Sequence, residues 1–173
     1  MTTKTVTLQD IELALASRSF EDFLDYVQIL EPPTSTSRGG TIKFEKWGYL
    51  IEFCKELDTE RLINVLKSRQ LGFSWILAAY ALWTAMYQEG ANVLAFSQGQ
   101  LESVAFLNKA RIIHDNLPQH LKVGLGRDND TTMEFPSMKA QITALPSTEK
   151  AGRGQTATLV IQDEADFHDN LDL

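Results

Sequence analysis

A short apolar run, a glycine-containing turn and a long apolar helix follow one another in residues 62–83 and constrain this chain most. Residues 62–66, Leu-Ile-Asn-Val-Leu, are aliphatic and partly β-branched, which predicts a buried strand. Residues 75–83 are so rich in Ala, Leu and aromatic side chains that only a buried helix fits them. In a strand–turn–helix unit, backbone N–H groups and the positive helix end face the turn and attract an anion. The sequence therefore predicts an α/β fold with an anion site near residues 67–74.

The residues of this turn match part of a phosphate-binding loop. Such a loop needs Gly at the turn into the helix, a lysine for the β- and γ-phosphates and a Ser or Thr hydroxyl for Mg²⁺. Gly72 and Ser74 stand in register, but Phe73 occupies the usual place of the lysine. Lys67, at the predicted strand end, is then the cation expected to reach over the loop. On this stretch alone, an ordinary strand–helix turn with a surface lysine is the alternative.

A second signal lies about ninety residues further on. Residues 158–162 predict a short apolar strand, and Asp163 and Glu164 follow it directly. A carboxylate at the end of a strand can hold the coordination shell of Mg²⁺, and its neighbour can orient or deprotonate a water. An ordinary strand followed by a charged loop is the alternative here.

Together these segments resemble the ATPase domain of the large terminase subunit of tailed bacteriophages and prophages, over roughly residues 41–169. Residues 67–74 look like that family's deviant Walker A motif, and residues 159–164 like its Walker B motif with the adjacent glutamate. Residues 92–97, with the helix ending at 117–118, are similar to the strand and helix after Walker A. Residues 144–147 and 152–154 are similar to the arginine-bearing loop before Walker B. The chain departs from the family where Trp47 replaces the glutamine that contacts adenine, and where the polar Gln162 precedes Asp163.

The resemblance implies a three-layer P-loop NTPase sandwich over residues 41–173, with a mainly parallel sheet of the additional-strand, catalytic-glutamate type. An N-terminal helical segment and linker over residues 1–40 precede it. The implied activity is hydrolysis of ATP to ADP and phosphate, which drives DNA into procapsids. The implied site residues are, for ATP, Lys67, Ser68, Arg69, Gln70, Leu71, Gly72, Phe73, Ser74 and Trp47; for Mg²⁺, Ser74 and Asp163; and for catalysis, Glu164, Arg153 and Arg69.

The resemblance also implies partners and a location. These are double-stranded DNA in the full motor, the portal protein, the small terminase subunit and further copies in a ring on the portal. The motor works in the host cytoplasm, docked on the procapsid, and is not a stable virion component. Because the sequence stops at Leu173, just past the second motif, we expect a fragment without lid and nuclease domain. Such a fragment would hydrolyse ATP weakly or not at all and would not cut DNA.

Two other functions are kept as alternatives. Residues 163–166 spell Asp-Glu-Ala-Asp, as in DEAD-box helicases, but those enzymes carry lysine where Phe73 stands and need a second ATPase lobe. The other alternative is an assembly module that binds nucleotide without hydrolysing it. Binding without phosphate release would favour the assembly module.

Composition narrows the class of protein. The formal net charge of −7 argues against a surface coated with basic DNA-binding residues. The single Cys54 excludes a disulfide framework and is expected to be an inert packed thiol. The three histidines are scattered, and no apolar run predicts a membrane span.

The remaining elements are predicted from caps and periodicity. Residues 7–30 predict one or two helices with Thr7 and Ser19 as N-caps, and residues 31–40 a flexible loop. Further predictions are a short strand at 42–44, a helix at 45–57, a strand at 91–97, a helix at about 100–116, a loop at 124–130, a hairpin across 136–138 and a mobile loop at 147–156.

Overall fold

The computed structural model describes residues 5–35, 38–67, 71–148 and 151–165. The helices are α1 (Leu8–Arg18), α2 (Phe20–Phe23), α3 (Gly48–Thr59), α4 (Phe73–Tyr87) and α5 (Gln100–Asn116). The strands are β1 (Gln28–Glu31), β2 (Gly40–Lys43), β3 (Asn92–Ser97), β4 (Asp128–Asn129), β5 (Thr132–Phe135), β6 (Ala140–Pro146) and β7 (Leu159–Gln162). Short 3₁₀ turns lie at Leu24–Tyr26, Gln119–Leu121 and Pro136–Met138.

A mixed five-stranded sheet organises the molecule, in the order β4-β5-β6-β3-β7. The central strand β3 runs parallel to both neighbours, so that Ala95 pairs with Ala144 of β6 and with Ile161 of β7. Strand β5 is antiparallel to β6 and to β4. The predicted α/β class is confirmed, but the sheet is parallel only over β6, β3 and β7. The hairpin folded back at Pro136–Met138 supplies the antiparallel part.

Helices α4 and α5 pack on one face of the sheet. Val93 and Ala95 of β3 and Ile142 of β6 are fully or almost fully buried in one core with α4 and α5. Helix α4 is buried on nearly every side, as its Ala- and Leu-rich sequence predicts. The indole N–H of Trp83 in α4 donates to the carbonyl oxygen of Ala16 at 2.8 Å and fastens α1 to the same core.

The opposite face of the sheet carries Leu94 and Phe96. On the connection from β6 to β7, Gly152 lies against the Phe96 ring. Val160 of β7 is 52 % exposed. The described residues thus contain a helix layer and a sheet, whereas the third layer stays a prediction.

Local sequence signals identified most elements correctly. Thr7 forms a capping box with Asp10, and the Ser19 hydroxyl accepts from the Asp22 amide. The helix at 100–116, the strand β3 and the hairpin between β5 and β6 are confirmed. Helix α3 starts at Gly48, three residues later than predicted.

Three predictions about secondary structure were wrong. Residues 28–30 are not helical but belong to β1, which pairs with β2 in an antiparallel hairpin. The predicted loop at 124–130 contains the short strand β4. The third error, at residues 62–66, concerns the site and is described below. The expected boundary near residue 40 falls within the hairpin of β1 and β2.

Candidate functional site

The two predicted motifs meet at the carboxyl end of β7. The Ser74 hydroxyl, at the second residue of α4, donates to Oδ1 of Asp163 at 3.1 Å. These residues are 89 positions apart in the chain. Asp163 is only 8 % exposed, so the contact lies at a largely buried carboxylate. The juxtaposition predicted from the two sequence segments is therefore present.

Gly72 makes the turn into α4 with a left-handed backbone. Its φ is +76°, a conformation that residues with a Cβ rarely adopt. Its carbonyl accepts from the amides of Trp75 and Ile76, which starts the helix. Among the described residues, no side chain caps this helix end. The partial positive charge of the helix dipole is therefore not neutralised by a capping side chain at the start of α4. Gly72 thus makes the turn into the helix at the position where the sequence places it.

The segment before the turn is not the strand that was predicted. Residues 62–67 have no regular secondary structure, and Leu62 and Leu66 are 87 % and 98 % exposed. A strand needs a neighbouring strand for its backbone hydrogen bonds, and the sheet pairings among the described residues leave this segment out. Apolar composition predicted burial here, but the segment does not pair with the five-stranded sheet. Lys67, half-buried, thus follows an irregular stretch.

Residues 68–70 lie outside the described residues, so the structure does not test the predicted roles of Ser68, Arg69 and Gln70. Leu71 is half-buried and packs against the core. The predictions for the three residues before it therefore stay predictions.

The acidic pair lies in the turn after β7. The Asp163 amide donates to the carbonyl oxygen of Phe96 at 3.0 Å, which holds the backbone of this turn beside the end of β3. Glu164 has a φ of +55° and an exposed side chain. A left-handed conformation is unfavourable for a residue other than glycine, and such strain is concentrated at functional sites. The sharp turn directs the two neighbouring carboxylates into different surroundings, one buried and one in solvent.

An aromatic cluster flanks Gly72 on the side of α3. Phe73 is buried and packs edge-to-face on Phe53, with ring centroids 5.2 Å apart. Tyr49 stacks on Phe73 at 6.0 Å, and its hydroxyl donates to the Leu71 carbonyl oxygen at 2.9 Å. This packing explains why position 73 holds an aromatic residue and not a lysine.

Trp47, the predicted adenine contact, is 43 % exposed and lies 5.6 Å from the Tyr49 ring. The sequence left open whether Trp47 and Phe44 belong to the core, and only Phe44 does. Tyr49 was missed altogether. The available signal was the aromatic residue two positions after Trp47, in the second turn of the predicted helix.

Arg153 lies in a turn on the β6–β7 connection. The flanking Gly152 and Gly154 have φ values of +75° and +79°. The Gln155 amide donates to the Gly152 carbonyl at 3.1 Å, so the described part of the predicted mobile loop is a hydrogen-bonded turn. The Arg153 side chain is exposed. Its role in catalysis stays a prediction.

No family model matches the chain, and no curated protein matches it significantly.

Among the described residues, no group of three or more His, Cys, Asp or Glu side chains forms a metal cluster. The described helices also include none with the length and apolarity needed to cross a membrane.

Proposed function

We propose that the chain is the ATPase module of a DNA-packaging motor of the large-terminase type, with the P-loop fold that this implies. The observation that carries the proposal is the hydrogen bond from Ser74 to Asp163, since it joins the two segments that the resemblance assigns to Walker A and Walker B. The left-handed Gly72 at the start of α4 supports it independently.

The donor set at this contact fits Mg²⁺. A hydroxyl and a carboxylate are the hard oxygen ligands that the ion prefers. Adjacent ligands of an octahedral Mg²⁺ at about 2.05 Å are about 2.9 Å apart. The Ser74 and Asp163 oxygens, 3.1 Å apart, already lie close to that spacing. When bound, Mg²⁺ supplies charge neutralisation at the β- and γ-phosphates.

The other residues act on phosphate and water in this proposal. Lys67 binds the phosphates from the start of the loop, and the N–H groups at the beginning of α4 cradle them. Glu164, exposed beside the buried Asp163, orients the attacking water and takes its proton. Arg69 and Arg153 neutralise charge that develops on the transferred phosphoryl group.

The biological setting follows from the same proposal. The full motor acts on double-stranded DNA in the host cytoplasm, as a ring of copies with the portal protein and the small terminase subunit. One basic residue on α5 is already engaged within the fold, since the Arg111 guanidinium pairs with Asp128 at 2.6 Å. Because the chain has a net charge of −7, a few local residues or other parts of the motor bind the DNA.

Calorimetric titration of the full chain with ATP, with and without Mg²⁺, tests the proposal. We expect saturable binding that depends on Mg²⁺ and is weakened on the order of tenfold by Ser74→Ala, because a hydrogen bond to a charged group is lost and a metal ligand is removed. Ser103→Ala is the matched control. It also removes a helical serine hydroxyl, one that donates at 2.7 Å to the carbonyl of Gly99, the N-cap of α5.

Equal affinity in the two variants, or no saturable binding by the parent, contradicts the proposal. Phosphate release measured on the same samples identifies an ATPase, whereas binding without turnover favours the assembly module.

A further inference from the structure

Tyr49 contacts the chain on both sides of Gly72. Its hydroxyl donates to the carbonyl oxygen of Leu71, and its ring stacks on Phe73 with an interplanar angle of 25°. One side chain in the first turn of α3 therefore holds the residue before the glycine and the residue after it. Leu71 is 22 positions away from Tyr49, so the contact is tertiary and not local.

Side chains around the glycine make no close contact with it. A Cβ at Gly72 would meet its nearest atoms, in Phe44 and Leu50, only at the ordinary contact distances of 3.8 and 4.0 Å. These neighbours therefore do not by themselves impose the left-handed conformation, which glycine can leave at little cost. Any such change moves the start of α4, because the amides of Trp75 and Ile76 both donate to the Gly72 carbonyl.

The start of α4 also carries Ser74, whose hydroxyl reaches Asp163. A rotation of this turn breaks that contact unless something holds the backbone on both flanks of the glycine. We propose that Tyr49 is a positioning residue, which fixes the left-handed turn at Gly72 and thereby keeps Ser74 directed at Asp163 in the nucleotide-binding conformation. This role rests on the proposed function for its effect on nucleotide, but not for its effect on the turn.

Burial does not account for the Tyr49 contacts. Its side chain is 36 % exposed, whereas Phe53 and Phe73 beneath it are buried. Phenylalanine at position 49 would pack on the core as well as tyrosine does. The Tyr49 hydroxyl, in contrast, donates to the backbone carbonyl of Leu71. A nearly exposed hydrogen bond adds little to global stability, but it selects one conformation of a flexible glycine turn.

The test compares Tyr49→Phe with Tyr87→Phe in the full chain. Both remove one hydroxyl that donates to a backbone carbonyl, since Tyr87 at the far end of α4 donates to Leu121 at 2.8 Å. The first readout is hydrogen exchange at the amides of Trp75 and Ile76. The second is the dissociation constant of ATP with Mg²⁺.

We expect Tyr49→Phe to accelerate exchange at the two amides about threefold to tenfold and to weaken nucleotide binding by a similar factor. Tyr87→Phe should leave both readouts within about twofold of the parent. Tyr49→Ala, which also removes the stacking on Phe73, should change both further.

Exchange in Tyr49→Phe that matches Tyr87→Phe overturns the positioning role, whether or not the protein binds nucleotide. Faster exchange with unchanged nucleotide affinity overturns the link from the turn to Ser74. If the parent binds no ATP but Tyr49→Phe still exchanges faster than the parent, the role of Tyr49 in the turn stands and the proposed function is refuted instead.

Discussion

Replacing Gly152 by alanine tests where the Arg153 turn lies. Gly152 has a φ of +75°, and a Cβ there would lie 2.9 Å from Cζ of Phe96 and 3.5 Å from its Cε1. The backbone conformation alone costs about 1–2 kcal/mol for a residue with a Cβ. Overpacking against a ring typically costs about 1–3 kcal/mol more. We therefore expect Gly152→Ala to lower the free energy of unfolding by about 2–5 kcal/mol.

Gly154→Ala is the matched control in the same turn. Its φ of +79° is nearly the same, but a Cβ there would meet nothing within 4 Å. We expect this variant to lose only the conformational part, about 1–2 kcal/mol. The difference between the two variants thus isolates the contact with Phe96.

Urea denaturation followed by circular dichroism measures the free energy of unfolding of both variants. The slopes of the two transitions are compared as well. The double variant Gly152→Ala/Phe96→Leu should recover part of the loss, because the shorter side chain removes the ring edge that is contacted. Equal losses in Gly152→Ala and Gly154→Ala, with no coupling to Phe96, would refute the placement of this turn on the sheet.

Further predictions concern the site and the core. Lys67→Ala should weaken ATP binding without lowering the midpoint of thermal unfolding, and unchanged affinity would transfer the role to Arg69. In the full-length motor, Glu164→Gln should retain ATP binding and lose about 10²- to 10⁴-fold in phosphate release, and turnover within about twofold of the parent would remove Glu164 from the mechanism. Burial, followed by the charges of Glu21 and Asp58, raises the pKa of Cys54 from 9.0 to about 11. The protonated thiol therefore contributes stability that should be fully present below pH 9 and lost as the pH rises to about 11. A thiol reagent at pH 8 should label Cys54 only as fast as the protein unfolds. Rapid labelling of the folded protein would contradict the burial of Cys54.

The sequence predicted those parts of the fold whose signals are local. The capping residue Thr7, the apolar α4 and the periodic α5 each carry their own signal within a few residues. The contact between Ser74 and Asp163 was also predictable. Ser74 lies at the start of a helix and Asp163 directly follows a strand, and these two ends face the same edge of the sheet.

Long-range context decided the parts that the sequence did not predict. Residues 62–66 have the composition of a strand, but pairing depends on a neighbour that composition does not reveal. Tyr49 carries no chemical motif, and the role we propose for it rests on a contact with Leu71 that only the packing of α3 creates. Phe73 looked like a defect in a phosphate-binding motif, and the structure shows it as the base of an aromatic cluster.

The central claim is that Ser74 and Asp163 form one site for Mg²⁺ and nucleotide. A double-mutant cycle with Ser74→Ala, Asp163→Asn and the double variant, read out as the affinity for ATP with Mg²⁺, tests it most directly. If the two side chains act on the same ion, the second substitution should add little to the loss caused by the first, and the affinities in EDTA should be alike in all four proteins. Losses that simply add, or affinities that do not depend on Mg²⁺, would contradict a shared site.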